Sequence, residues 1–262
     1  MKIGRQTHRS SAISSSTEDT IIVRGLDLCA DLIGRVSFTD HVWLVVTGAL
    51  PSPAQRAVLD ATLVAIAEHG LVPSVQASRM TLAAAPEALQ GAVAAGILGC
   101  GSVILGSAEA AGRMLADVTA RAAGSGALDE AARDAVREHL AARRAVPGYG
   151  HPLHKGRDPR AERLLDIARD TGVAGRHVEA ARAVARLLPE ITGKPLTMNV
   201  SAAIPAVLLD VGYPLLALKG VPILARTASL VAHLLEEQER PIGFVLSHAG
   251  EAAIAYDGKG KP

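Results

Sequence analysis

Along most of this chain apolar residues recur every three or four positions, while Val/Ile/Thr runs stay short, so helix is the default element. Ser52, Pro53 and Gln55 supply an N-cap, a first-turn proline and a capping-box partner. Val58, Leu59, Leu63 and Ile66 then follow at helical spacing, and Gly70 ends the run. That leaves His69 at the carboxyl end of a helix, beside a loop. A similar short helix runs from Thr39 to Thr47 and stops at Gly48. The pattern predicts further helices near 86–98, 107–122, 129–144, 159–171, 175–188, 201–211 and 222–238. Only Thr20–Val23 reads as a strand, which makes the fold class all-α. From about 107 to 215 the helices are rich in Arg and Glu and amphipathic, whereas the flanks are more apolar. This contrast divides the chain into a large helical domain (1–106 and 216–262) and a small one (107–215) inserted into it.

The segment 88–108 carries no charge over a length that could span a bilayer, but five glycines and many alanines suit two closely packed buried helices better. The first nine residues are polar and basic and are followed by serines, unlike a signal peptide. The 262 residues carry a net charge of +1, with 49% hydrophobic, 20% charged and only 2% aromatic positions. Collapse to a packed core is favoured, and a nucleic-acid partner is disfavoured for want of basic surplus and stacking rings. Cys29 and Cys100 form no CxxC pair, so a reducing, cytoplasmic setting fits, with neither a disulfide framework nor a cysteine zinc site.

The densest polar cluster runs from Val146 to Arg160 and holds Gly148, Tyr149, Gly150, His151, His154, Lys155 and Arg157. Asp158 and Pro159 open a helix there, so Arg160 stands in a first turn where free N–H groups already favour anions. A guanidinium grips a carboxylate bidentately, and an ammonium suits phosphate. A metal at His151 and His154 is disfavoured by the adjacent cations and the missing third ligand. Arg226 stands in an apolar helix and needs an anion, with Glu236 or Glu237 the structural candidates. Arg79, on a helix of small apolar residues, raises the same question. The chain has no GxGxxG, GxxxxGK[ST] or GxSxG motif. These residues alone describe an all-α protein with a multi-arginine anion pocket and histidines.

Taken together the motifs resemble the citrate synthase superfamily. Val146 to His151 followed by Asp158-Pro159-Arg160 is similar to its G-[FY]-G-H-x₇-P-R signature. Glu68-His69-Gly70 resembles the D-H-[EG] segment, Asn199-Val200-Ser201 the N-V-D segment, Arg226 to His233 the R-x₅-A-H helix, and Glu239-Arg240-Pro241 the final E-R-P. The resemblance implies a small helical domain closing over a cleft against a larger one, in a homo-oligomer built from dimers. It implies that His69 and His151 polarise the carbonyl of oxaloacetate, or the hydroxyl it becomes, and that Arg160 and Arg226, with Arg79, hold carboxylates. It further implies that Arg240 reaches a neighbouring subunit's site. Val146, Gly148, Tyr149 and Gly150 would wrap the adenine of coenzyme A and Lys155 would meet its phosphates, with no metal and no cofactor beyond coenzyme A as part of the substrate.

Two departures refine this expectation. Where the synthases carry L-H-G, this chain has Ile104-Leu105-Gly106, without the histidine that stabilises the acetyl-CoA enolate. Its absence and the short chain resemble the lyase domain of ATP-citrate lyase and the stand-alone citryl-CoA lyases, which shifts the expected activity to cleavage of citryl-CoA. Second, Ser201 replaces the family's catalytic aspartate, and a serine hydroxyl is no base at neutral pH without activation. Ser201 is then expected to hydrogen-bond the thioester oxygen, with water or another acid protonating the enolate. The alternatives are a citrate or methylcitrate synthase, and a non-catalytic subunit that binds acyl-CoA and a di- or tricarboxylate.

Overall fold

The computed structural model describes residues 9–101, 105–150 and 156–258. A three-stranded antiparallel sheet, β1 (Ser14–Ser16), β2 (Ile21–Val23) and β3 (Leu26–Asp27), precedes the helices. It is larger than the single strand expected, and it leads through one π-helical turn, Leu28–Leu32, into the helical body. There follow α1 (Phe38–Thr47), α2 (Pro53–Ala67), α3 (Pro73–Ala84), α4 (Leu89–Leu98) and α5 (Ser107–Ser125). The chain continues through α6 (Leu128–Ala141), α7 (Pro159–Asp170), α8 (Arg176–Thr192) and α9 (Val200–Asp210). It closes with α10 (Gly220–Glu239) and α11 (Gly243–Ala253). The protein is all-α, with a minor β-ribbon.

Among the described residues, local side-chain caps open four of these eleven helices. Ser37 with Asp40 and Ser52 with Gln55 form capping boxes on α1 and α2. Asp158 caps α7, and Asn199 caps α9. The cap of α8 comes from elsewhere: Asp210, at the end of α9, accepts the N–H groups of Gly175, His177 and Val178 and the His177 ring nitrogen at 2.8 Å.

Two helices lie outside the predicted stretches. One is α3, which matches the helix of small apolar residues expected around Arg79 without stated bounds. No usual N-cap residue marks α11, whose N-cap is Ile242; Glu237, five residues upstream on α10, accepts the N–H of Ile242 and of Gly243 instead. Nor does α8 stop before Pro189; it runs on to Thr192, held by the buried Val184, Leu187 and Leu188. The uncharged 88–108 segment contains a helix of only 10 residues, α4, which buries Ala92 and Gly96 but exposes Leu89 and Leu98. It is therefore less buried than expected. Leu215–Glu239 is long and apolar enough to cross a membrane by length and composition. Here it packs as α10 against α2, α3 and α4.

The helices pack in two groups. Helices α5 to α9 pack on one another, with α9 central. Helices α3, α4, α10 and α11 form the second group, and α2 joins the two, meeting α10 on one side and α7 and α9 on the other. The main core runs from Val58 and Leu59 of α2 through Leu115 of α5, Leu188 of α8 and Ile204 of α9 to Val221 and Ala225 of α10, while Leu82, Ala92 and Leu234 form a separate cluster among α3, α4 and α10. Continuous packing of this kind fixes the distance between side chains carried by α2, α5, α7, α9 and α10.

Candidate active site

Those five helices surround a cleft of about 460 Å³. Its lining includes His69, Arg160, Ser201 and Arg226, together with Val146, Gly148, Tyr149 and Gly150. Residues from four separate regions of the chain thus meet at one place. His151 and Lys155, expected at the same site, lie outside the described residues, as do His154 and Ile104.

The loop that follows α6 is pinned as an extended segment. Gly150 N–H donates to Thr197 O at 2.7 Å, Asn199 N–H to Gly148 O at 2.9 Å, and Asn199 Nδ2 to Gly150 O at 2.6 Å. Gly148 has φ +85°, and a Cβ there would lie 2.5 Å from Ala202 Cβ, so only glycine lets the loop approach α9. Tyr149 is buried, and its hydroxyl donates to Ala181 O at 2.7 Å. Burial pushes that phenol far above its ordinary value. The ring anchors the loop and leaves mainly backbone and Val146 to shape the cleft wall.

Arg160 enters from the first turn of α7. Its Nε and Nη2 lie 3.0 and 2.9 Å from the two oxygens of Asp158, which also accepts Val200 N–H at 3.0 Å. Burial alone would raise the Asp158 carboxyl, but Arg160 and the backbone donors outweigh it and hold it below the ordinary carboxylate value. One buried aspartate therefore caps α7, orients the guanidinium and ties α9 to the site.

Arg226 projects from α10 and is 2% exposed. Its Nη2 is 3.4 Å from Ile66 O, while Nε and Nη1 have no hydrogen-bond partner among the described residues. The partners expected from sequence are taken: Glu237 and Glu236 pair with Arg79, at 2.6 and 2.7 Å. A guanidinium buried this way is costly unless an anion joins it. The same pairing moves Arg79 out of the substrate-binding set. Its Nη2 also donates to Arg240 O at 3.0 Å, so the fork is engaged on three sides, away from the cleft lining. Arg240 lies outside the cleft of its own chain as well; its side chain is 81% exposed, with Nη1 3.8 Å from Glu236.

His69 follows the end of α2 in a turn built on Glu68 and on Gly70, which has φ +69°. Glu68 Oε1 accepts the N–H of His69 at 2.9 Å and that of Gly70, while Oε2 receives the Ser229 hydroxyl and lies 3.0 Å from His233 Nε2. Burial would raise the Glu68 carboxyl, yet Ser229, the Gly70 N–H and His233 hold it below its ordinary value. The turn carrying His69 is thereby fastened to α10, the helix that carries Arg226.

Sequence reasoning missed Ser107. It is the first residue of α5, and its hydroxyl donates to Ser201 Oγ at 2.9 Å inside the cleft. Only the serine at a helix start gave any hint of it. Asp158 had been read as a helix cap, but not as the anchor of Arg160. Among the described residues no group of three His, Cys, Asp or Glu side chains is placed to hold a metal ion.

The chain matches the family model described as citrate synthase, C-terminal domain, over residues 36–243. Among solved structures it is similar to citryl-CoA lyase from Hydrogenobacter thermophilus, with 32% identity and a TM-score of 0.86 over 97% of this chain and 96% of that one. It also resembles ATP citrate lyase from Methanothrix soehngenii, solved with citrate and coenzyme A, at 21% identity and a TM-score of 0.78. There it covers 99% of this chain but 43% of the larger one. Citrate synthase from Thermoplasma acidophilum is more distant, at 18% identity and a TM-score of 0.65 over 78% of this chain and 54% of that one. A search of the curated proteins returned no match. With its histidine, two arginines and glycine loop gathered in one cleft of this helical fold, the chain belongs to the citrate synthase family.

Proposed function

We propose that this protein is a citryl-CoA lyase, cleaving citryl-CoA to acetyl-CoA and oxaloacetate by a reverse Claisen reaction. The observation that carries the reading is Arg226: a buried guanidinium with two unpartnered nitrogens, in the same cleft as Arg160 and His69. Two cations held by rigid helices suit a small polyacid, since each can take one carboxylate. The full-length likeness to citryl-CoA lyase supports the lyase over the synthases, which match less of the chain at lower identity.

In this reading Arg160 and Arg226 fix the carboxylates of the citryl group. His69, with His151, takes the proton of the tertiary hydroxyl as its carbonyl forms. The electron pair of the breaking C–C bond passes to the acetyl thioester as an enolate, which must then be protonated at carbon. The wall from Val146 to Gly150 faces coenzyme A, with Lys155 toward its phosphates. Arg240, exposed on its own chain, is free to reach a neighbouring subunit in a homo-oligomer. A cytoplasmic location remains part of the proposal on composition, since the chain has only two cysteines and no CxxC pair.

A coupled malate dehydrogenase assay on citryl-CoA tests the reading. Wild type is expected to release oxaloacetate. Arg160→Ala loses roughly tenfold to a hundredfold, the worth of a charged hydrogen-bonding group, and His151→Ala loses more. Equal rates for all three proteins overturn the proposed site. The non-catalytic binding subunit is favoured by two departures in the sequence, Ser201 where the family carries a carboxylate and Ile104 where the synthases carry a histidine. Tight citrate or coenzyme A binding with no turnover would support that reading instead.

A further inference from the structure

We propose that Ser107 and Ser201 form a two-hydroxyl relay that hands a proton to the enolate carbon, an inference that rests on the lyase reading above. The cleavage leaves an electron pair shared between the thioester oxygen and the methylene carbon, and the product is complete only when a C–H bond forms there. The donor must stand in the cleft. In this reading Arg160 and Arg226 are engaged by the carboxylates of the substrate, and His69 with His151 serves the substrate hydroxyl. Among the described residues that line the cleft, three carry hydroxyls; that of Tyr149 is committed to Ala181 O, which leaves Ser107 and Ser201, in the same cavity as Arg226.

Three features suit this pair to the task. Ser107 donates to Ser201 Oγ at 2.9 Å, so the proton of Ser201 is left for another acceptor. A hydroxyl whose oxygen accepts a hydrogen bond is the better donor. At the start of α9 the N–H of Val200 is taken by Asp158 and that of Ser201 by Asn199 Oδ1. Helix α5, 19 residues long, begins at Ser107 with no side-chain cap, so the positive end of its dipole lies at the Ser107 oxygen, where it favours transient negative charge.

The direction of transfer explains why a serine suffices. As a base toward acetyl-CoA a neutral hydroxyl fails, but an enolate carbon is far more basic than an alkoxide, so a proton passes readily from serine oxygen to carbon. In the step the C–H bond forms as the Ser201 O–H breaks. Ser201 takes the proton of Ser107, and Ser107 is replenished from water. The hydroxide this leaves is neutralised by the proton that the imidazole removed from the substrate. The relay replaces the role expected for Ser201 as a donor to the thioester oxygen, and makes Ser107 a positioning residue that acts through it.

The test uses the full chain and citryl-CoA, with Ser107→Ala, Ser107→Thr and Ser201→Ala, in mixtures of light and heavy water. Ser107→Ala is expected to lower kcat about tenfold to a hundredfold, with KM changed by less than about threefold; this is below the roughly 10²–10⁴-fold worth of a direct acid–base group, because Ser201 remains. Ser107→Thr restores the rate. The dependence of kcat on deuterium fraction is curved in the wild type, where two protons move, and straight in Ser107→Ala. Calorimetric titration with citrate, unchanged in Ser107→Ala, shows that the cleft is intact. An active wild type with an unaffected Ser107→Ala, or a loss that Thr does not rescue, overturns the relay alone. A wild type that releases no oxaloacetate overturns the lyase reading and the relay with it.

Discussion

Replacing Arg226 by Met should make the protein more stable and leave it unable to hold its ligand. The guanidinium is 2% exposed, and both Nε and Nη1 lack partners among the described residues. A buried donor without a partner costs about 1–3 kcal/mol, so the two together cost about 2–6 kcal/mol. Methionine removes that cost and fills the space with an unbranched chain. It gives up only the long 3.4 Å contact to Ile66 O, worth at most about 1 kcal/mol. The net gain of about 1–5 kcal/mol agrees with the roughly 1–4 kcal/mol found when buried ionic groups give way to apolar ones. A mid-range gain of about 2.5 kcal/mol raises Tm by roughly 5–10 °C in a chain of this size. Thermal melting with and without citrate reads both effects. For the wild type, citrate at a hundred times its Kd adds about 2.7 kcal/mol; Arg226→Met should melt higher without ligand and gain nothing from citrate. A Met variant that melts below the wild type would refute the reasoning, because the guanidinium would then be serving the fold.

Gly148→Ala combines a left-handed backbone, which costs an L-residue about 1–2 kcal/mol, with a Cβ 2.8 Å from the Ala202 backbone. Overpacking adds about 1–3 kcal/mol, and a lowered Tm with weakened citrate protection checks it. Glu237→Ala strips Arg79 of its buried partner and uncaps α11, so urea unfolding should show a loss of about 3–5 kcal/mol. Burial raises the carboxyls of Asp158, Asp210 and Glu237, but their donors outweigh it, and each is held below its ordinary value. The stability they add is present above the unfolded-state pKa of about 4 and is lost as pH falls through the lower folded values. Acid titration of stability should show this, and Asp210→Asn should flatten part of that fall.

Most helices could be read from the chain because their causes are local. Ser52, Pro53 and Gln55 open α2 with their own side chains, and Asp158 with Pro159 opens α7 in the same way. Helix α11 could not be read because no Ser, Thr, Asp or Asn stands at its N-cap, which is Ile242; its first N–H groups are taken instead by Glu237, five residues back on α10. The first and third strands were missed because segments as short as Ser14–Ser16 and Leu26–Asp27 take their form from pairing with β2.

The candidate site divides along the same line. Residue chemistry in the sequence marked Arg160 and Arg226 as anion-binding candidates, because one stands in a helix's first turn and the other in an apolar stretch, while His69 and Ser201 were marked by the resemblance of their motifs to the citrate synthase superfamily. Which arginine is free to bind was decided by the tertiary structure alone. Sequence offered Glu236 and Glu237 to Arg226; packing of α3 against α10 gives both to Arg79 and leaves Arg226 facing the cleft. The meeting of Ser107 with Ser201, 94 residues apart along the chain, likewise exists only once α5 packs on α9. Pairing between distant charges depends on distance in space, which no spacing along the chain records.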